Sequence, residues 1–130
     1  MLITSIPQYI QGLLNAKVDL TTTDLTTLFT VPTNADFNAA VVTSILVSED
    51  SGNADTITVT LVDTSSAIFS LFKVKAVGAN TTIELLTREL VLQSGESLKV
   101  QAATANRLHV VASIQAVSYT HLTLPTNREV

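Results

Sequence analysis

TTIELLTRELVLQSGESLKVQAA, residues Thr81–Ala103, contains three short apolar runs, Ile83–Leu86, Leu90–Leu92 and Leu98–Ala102. The last two are separated by Gln93-Ser94-Gly95-Glu96, which is turn chemistry with a glycine where a positive φ is expected. The stretch reads as a packed β-hairpin unit rather than a reactive loop. Arg88-Glu89 interrupts the apolar runs and reads as a kink, or as a crossover between two sheets.

The same rhythm extends outward on both sides. Ile57-Thr58-Val59-Thr60-Leu61 alternates with Ile57, Val59 and Leu61 inward, as a half-buried antiparallel strand does. Leu98, Val100 and Ala102 alternate with Lys99 and Gln101, and Arg107 to Ala116 places Leu108, Val110, Ala112 and Ile114 inward. Leu25–Val31 is a strand ended by Pro32. With turns roughly every ten residues, about eight strands are expected, which predicts an all-β, jelly-roll-like antiparallel sandwich. The expected organisation is an N-terminal arm or short helix over residues 1–20, the sandwich over 21–117, and a tail over 118–130.

Two strands break the simple alternation. Ala39–Ser48 is apolar on both faces, with Val41, Ile45 and Val47 on one and Val42 and Leu46 on the other. A sheet with one wet face has no need of that, so the second face lies under the N-terminal arm or meets another subunit. In Ala67–Val77 the better core face is Ile68, Phe72, Val74 and Ala76, which leaves Phe69 and Leu71 beside Lys73 and Lys75. Either a bulge resolves this conflict or Phe69 and Leu71 mark an interface.

The ends read differently. Tyr9-Ile10 and Leu13-Leu14 fall at helical spacing after Pro7, so Gln8–Ala16 is expected as a short helix or a docked arm, on its own domain or on a neighbour. Val117 onward continues past the expected end of the sheet, and Ser118–Thr126, SYTHLTLPT, resembles translated sequencing-adaptor DNA. That predicts a non-native tail, the alternative being an ordinary disordered one. The subunit-interface candidates are thus Tyr9, Ile10, Leu13, Leu14, Val42, Leu46, Phe69 and Leu71.

Composition narrows the function. The chain has 130 residues and no cysteine, which excludes disulfides and thiolate metal sites. Charged residues are 14%, with Thr and Ser filling the gap, against roughly 25% in an average soluble domain. Such a surface suits a protein held against neighbours, because burying Thr costs less than burying Lys. A net charge of −4 without a basic cluster argues against nucleic acid as a partner. No apolar run reaches the ~18 residues of a membrane span, and the first sixteen residues lack the charged start of a secretory signal. Synthesis and retention in a cytoplasm until assembly is the expectation.

Few residues offer chemistry. His109 lies on an outward strand face with no ligand-spaced neighbour, so no metal site is expected there. Glu49, Asp50 and Asp55 are oxygen donors of the kind Ca²⁺ takes, but they lack the regular loop spacing and read better as a solvated acidic turn. Ser44, Ser70 and Ser113 have no elbow motif around them. No catalytic, cofactor or metal residue is assigned.

Leu28–Pro32, Val42–Val47, Ile83–Leu86 and Leu92–Ala102, taken in order, resemble small virion structural proteins of tailed phages from marine and environmental genomes. The resemblance covers roughly Leu25 to Val117 and includes an L-x-x-G-[ED]-x-L-x-V pattern at Leu92–Val100. It implies a non-enzymatic β-sandwich subunit of a virion, in a capsid, neck or tail, made in the host cytoplasm and partnered by copies of itself and other virion proteins. A host-surface or carbohydrate-binding module is the alternative, weakened by 5% aromatics and no Trp.

Overall fold

The computed structural model describes residues 8–33 and 39–119, with side chains over 12–33 and 39–117. These residues form nine strands: β1 (Gln8–Asp19), β2 (Thr26–Thr30), β3 (Ala39–Glu49), β4 (Asp55–Val62), β5 (Ile68–Val77), β6 (Thr82–Glu84), β7 (Leu90–Gln93), β8 (Ser97–Ala102) and β9 (Leu108–Tyr119). One sheet has the order β1-β9-β3-β6, with β7 also on β3, and the other β2-β8-β4-β5. All the pairings are antiparallel.

β6 and β7 lie end to end along the same side of β3, against Leu46–Ser48 and Ala39–Val42, and so behave as one interrupted strand. Counted that way, each sheet has four strands. The chain alternates between sheets everywhere except the β4–β5 hairpin, which is the strand order of a jelly roll. The expected all-β sandwich is the fold.

Its core is aliphatic. Val42, Ile45, Val47, Val110, Ala112 and Ile114 from one sheet meet Ile57, Val59, Leu98, Val100 and Ala102 from the other. The inward rows read from β4, β8 and β9 are buried, apart from a half-buried Leu61.

Four expectations are corrected. The segment expected as a short helix or a docked arm, Gln8–Ala16, lies within β1, which pairs with β9 from Gln8↔Tyr119 to Asp19↔His109 and so is not a helix. Short apolar runs fit either period; Gly12 disfavours a helix by about 1 kcal/mol, and the ladder to β9 satisfies the backbone instead. That ladder also carries β9 two residues beyond the expected end at Val117; the rest of the expected tail, 120–130, lies outside the described residues.

Gln93–Glu96 does not join a hairpin. β7 pairs with β3 and β8 with β2 and β4, so the turn is an arch between the sheets. It places Leu92 and Leu98, both buried, in opposite layers of one core. Gly95 has φ +83°. Its amide donates to Val31 O at 2.9 Å and Val31 N donates to Glu96 O at 2.9 Å, pinning the arch to the end of β2.

Arg88-Glu89 is therefore no crossover; it lies in an excursion between β6 and β7 along one edge. Where the chain leaves β3, the Glu84 carboxylate replaces main-chain partners. It accepts from the Ser44 hydroxyl, from Ile45 N at 2.8 Å and from Leu86 N at 3.1 Å. Burial acts to raise the Glu84 pKa, but hydrogen bonds from the Ser44 hydroxyl and the Ile45, Leu86 and Leu85 amides outweigh it and hold the group below the ordinary carboxylate value.

Finally, β3 is not two-faced by strict alternation. Its register to β9 shifts between Val42 and Ser44, so Val42 and Ile45 both point inward. Val42 is fully buried in its own core, and its reading as an outward residue is overturned.

Candidate assembly surfaces

The outer face of the β1-β9-β3-β7 layer is read directly from register. Val111 stands between Lys17 and Leu46, and Gln115 between Leu13 and Val41, with Val91 beyond Val41. Leu46, Val91 and Val111 are exposed, and Leu13 is 77% exposed. Apolar side chains therefore occur on all four strands of a surface facing away from the core, with Lys17 and Gln115 among them. β1 does not cover it, because it lies in the sheet beside β9 rather than over β3. A shallow depression on this face is lined by Leu13, Leu14, Asn15, Thr43, Ser113, Ile114 and Gln115. Thr43, at the β3 bulge, donates to Ser113 O at 3.2 Å there.

The other outer face is different. Thr58↔Gln101 and Thr60↔Lys99 are cross-strand pairs, and Ser70 extends the second row. Thr58, Gln101, Lys99 and Ser70 make this surface polar, while Thr60 between them is buried.

β5, at the edge of that sheet, carries both devices weighed from the sequence. Its register to β4 shifts twice, between Ile57/Val59 and Val59/Thr60. Val74 has φ +52°, unusual for a β-branched residue, and its amide donates to Thr58 Oγ1 at 3.0 Å. These shifts turn Leu71 and Phe72 partly into the core, so Leu71 does not form an exposed pair with Phe69. Phe69 remains 52% exposed, next to exposed Ile68, and Val74 further along β5 is exposed as well.

The interface candidates therefore separate. Leu13, Leu14, Leu46 and Phe69 are exposed, Leu71 is half-buried, and Val42 is in the core. Tyr9 and Ile10 pair through their backbones with Ser118 and Val117, while their side chains lie outside the described set.

The acidic turn is not a solvated cluster. Glu49 is 1% exposed. Its carboxylate accepts from the Ser51 amide and hydroxyl, from Gly52 N at 3.1 Å and from Asn80 N at 3.0 Å, which ties the β3–β4 turn to the β5–β6 turn. Burial works to raise its pKa, but these hydrogen bonds, the Ser51 hydroxyl foremost, outweigh it and lower the value to about 2. Asp55 instead accepts from Thr104 N at 3.1 Å.

Asp50 turns to His109, whose Nε2 is 3.2 Å from it while Nδ1 is 3.2 Å from Asp19. The three acids considered for Ca²⁺ thus diverge, and no group of three or more His, Asp or Glu suited to a metal occurs among the described residues. Alternation placed His109 outward, but nothing local signals its two carboxylate neighbours, which arrive from 90 and 59 residues away in sequence.

No protein family model matches the sequence, and no curated protein does. Among solved structures, a pentameric capsid protein isolated from metagenomic phage sequences is similar at 17% identity and a TM-score of 0.46. The match covers 80% of this chain and 62% of that one. The structure of infectious bursal disease virus, Gt strain, is similar at 9% identity and a TM-score of 0.45, over 88% of this chain and 33% of that one. Eiger TNF from S. frugiperda is similar at 10% identity and a TM-score of 0.43, over 92% and 94%. The chain spans less than two thirds of the phage protein it resembles.

Proposed function

We propose that this chain is a non-enzymatic virion structural subunit that assembles with copies of itself, as a capsid, neck or tail component of a tailed phage. The observation that carries the reading is the apolar outer face of the β1-β9-β3-β7 layer, above all the adjacent pairs Leu46/Val111 and Val41/Val91. Antiparallel sheets with one solvated face place polar residues there. Exposed apolar pairs on that face are more economically explained by a second surface covering them. The low charge of the whole chain and the sequence resemblance to small phage virion proteins point the same way.

A second reading rests on the depression where Asn15, Thr43, Ser113 and Gln115 bring polar groups between leucines. It would make the chain a carbohydrate-binding module of the host-surface type. Glycan-array binding by a stable monomer supports that alternative.

Light scattering on purified protein across a concentration series tests the first reading. The expected result is an oligomer, with Leu46→Thr/Val111→Thr giving a smaller mass at unchanged Tm. Wild-type protein that stays monomeric at every concentration overturns it.

A further inference from the structure

The exposed large apolar residues outside that face are not scattered. Leu14 and Leu25 lie on β1 or just before β2, and Ile68, Phe69 and Val74 lie on β5. β1 and β2 are the end strands of their sheets and pack across from one another. β5 ends its sheet at the far side, while β6 and β7 end the other sheet on the side away from β1. The two apolar sets therefore occupy opposite flanks of the sandwich.

Their charges also differ. The first flank carries Asp19 and Asp24 against Lys17; the second carries Lys73, Lys75 and Arg88 against Glu84 and Glu89. One has a carboxylate in excess and the other a cation. Among the described residues neither Lys73 nor Lys75 has an acidic partner, since the ion pairs there are those of His109.

We propose that the two flanks are the halves of one heterologous interface, in which the β5/β7 flank of one copy docks on the β1/β2 flank of the next. This rests on the self-assembly reading and adds its direction. Contacts of this kind are head-to-tail, so they close into a ring or continue as a filament, and never stop at a two-fold dimer. Docking is through side chains rather than by adding strand to strand. The two register shifts, Lys73 and Lys75 and the positive φ of Val74 are features that block edge pairing on β5.

The experiment uses the full chain in the Leu46→Thr/Val111→Thr background, so that the Leu46/Val111 pair of the outer face takes no part. Leu25→Asp damages one flank and Phe69→Asp the other, both at exposed positions. Each variant alone should have the mass of one chain. An equal mixture should have the mass of two, because one intact flank of each kind remains to form a single contact.

If either variant alone dimerises, the contact is isologous and the proposal is overturned. A background protein that is already monomeric while the wild type is oligomeric also overturns it, and leaves self-assembly through the outer face standing. Wild-type monomer overturns both. Circular dichroism monitors folding. Should an aspartate variant unfold, Lys73→Glu/Lys75→Glu and Asp24→Lys replace the pair: each alone should weaken assembly and the mixture restore it. A mixture that restores nothing counts against the flank contact.

Discussion

Glu49 shows how much a single residue does here that composition conceals. Its carboxylate is stripped of water and holds two turns through amides and a hydroxyl. Because its folded pKa of about 2 is below the ordinary 4.5, the stabilisation it gives is complete above pH 4.5 and lost as pH falls towards 2. Glu84 is shifted in the same direction and adds to the same acid-side loss. Urea unfolding at pH 5 and at pH 2.5 should show a lower midpoint at the acid pH, and Glu49→Gln should flatten that difference. An equal acid loss in the variant would place the effect elsewhere. The sequence shows an acidic turn but not this role, because Asn80 comes from a turn thirty-one residues away. Thr60 is the opposite case: it is buried, and its hydroxyl has no partner among the described residues. Thr60→Val removes an unpaired polar group and should stabilise by about 1 kcal/mol. On thermal unfolding that corresponds to about 4 °C, and a lower Tm would mean that the hydroxyl is satisfied.

At the level of elements, legibility depended on whether the signal was local. β4, β8 and the first part of β9 alternate without interruption, and their faces could be read one residue at a time. β3 could not, because a bulge shifts every later side chain and left no mark in its apolar content, and Val42 was misplaced for that reason; in β5 the conflict of Phe69 and Leu71 with Lys73 and Lys75 did point to a bulge as one alternative, but not to where it falls. The turn at Gly95 was legible as a turn, but its partners were not. A hairpin and an arch can share the same turn residues, and only the pairing of β7 with β3 distinguishes them. Gly95→Ala tests the local half of that description. A left-handed φ costs an L-residue about 1–2 kcal/mol, and the added Cβ would stand 2.7 Å from Thr64 Cγ2, a surface side chain with room to turn. The expected outcome is a loss of about that size, undiminished in Gly95→Ala/Thr64→Ser if backbone strain dominates. Recovery in the double variant would assign the cost to the contact.

For the whole molecule, the strand rhythm foretold the architecture, while the closing of the fold lay in the pairing of its two ends. β1 runs along nearly the full length of β9, bringing Gln8 opposite Tyr119, and its Leu14, Ala16 and Val18 fall opposite the inward residues Ile114, Ala112 and Val110. A detachable arm would leave the sandwich intact when removed. A closing strand would not: its loss uncovers the inward row of β9 and exposes a long unpaired edge, which templates aggregation. Removing residues 1–16 should therefore abolish cooperative thermal unfolding, or lower Tm by well over ten degrees, and raise light scattering. Removing residues 120–130 takes away none of the paired positions and should leave Tm unchanged. The opposite pattern, with the N-terminal truncation melting like the full chain and only its oligomer size altered, would make β1 an arm exchanged between subunits.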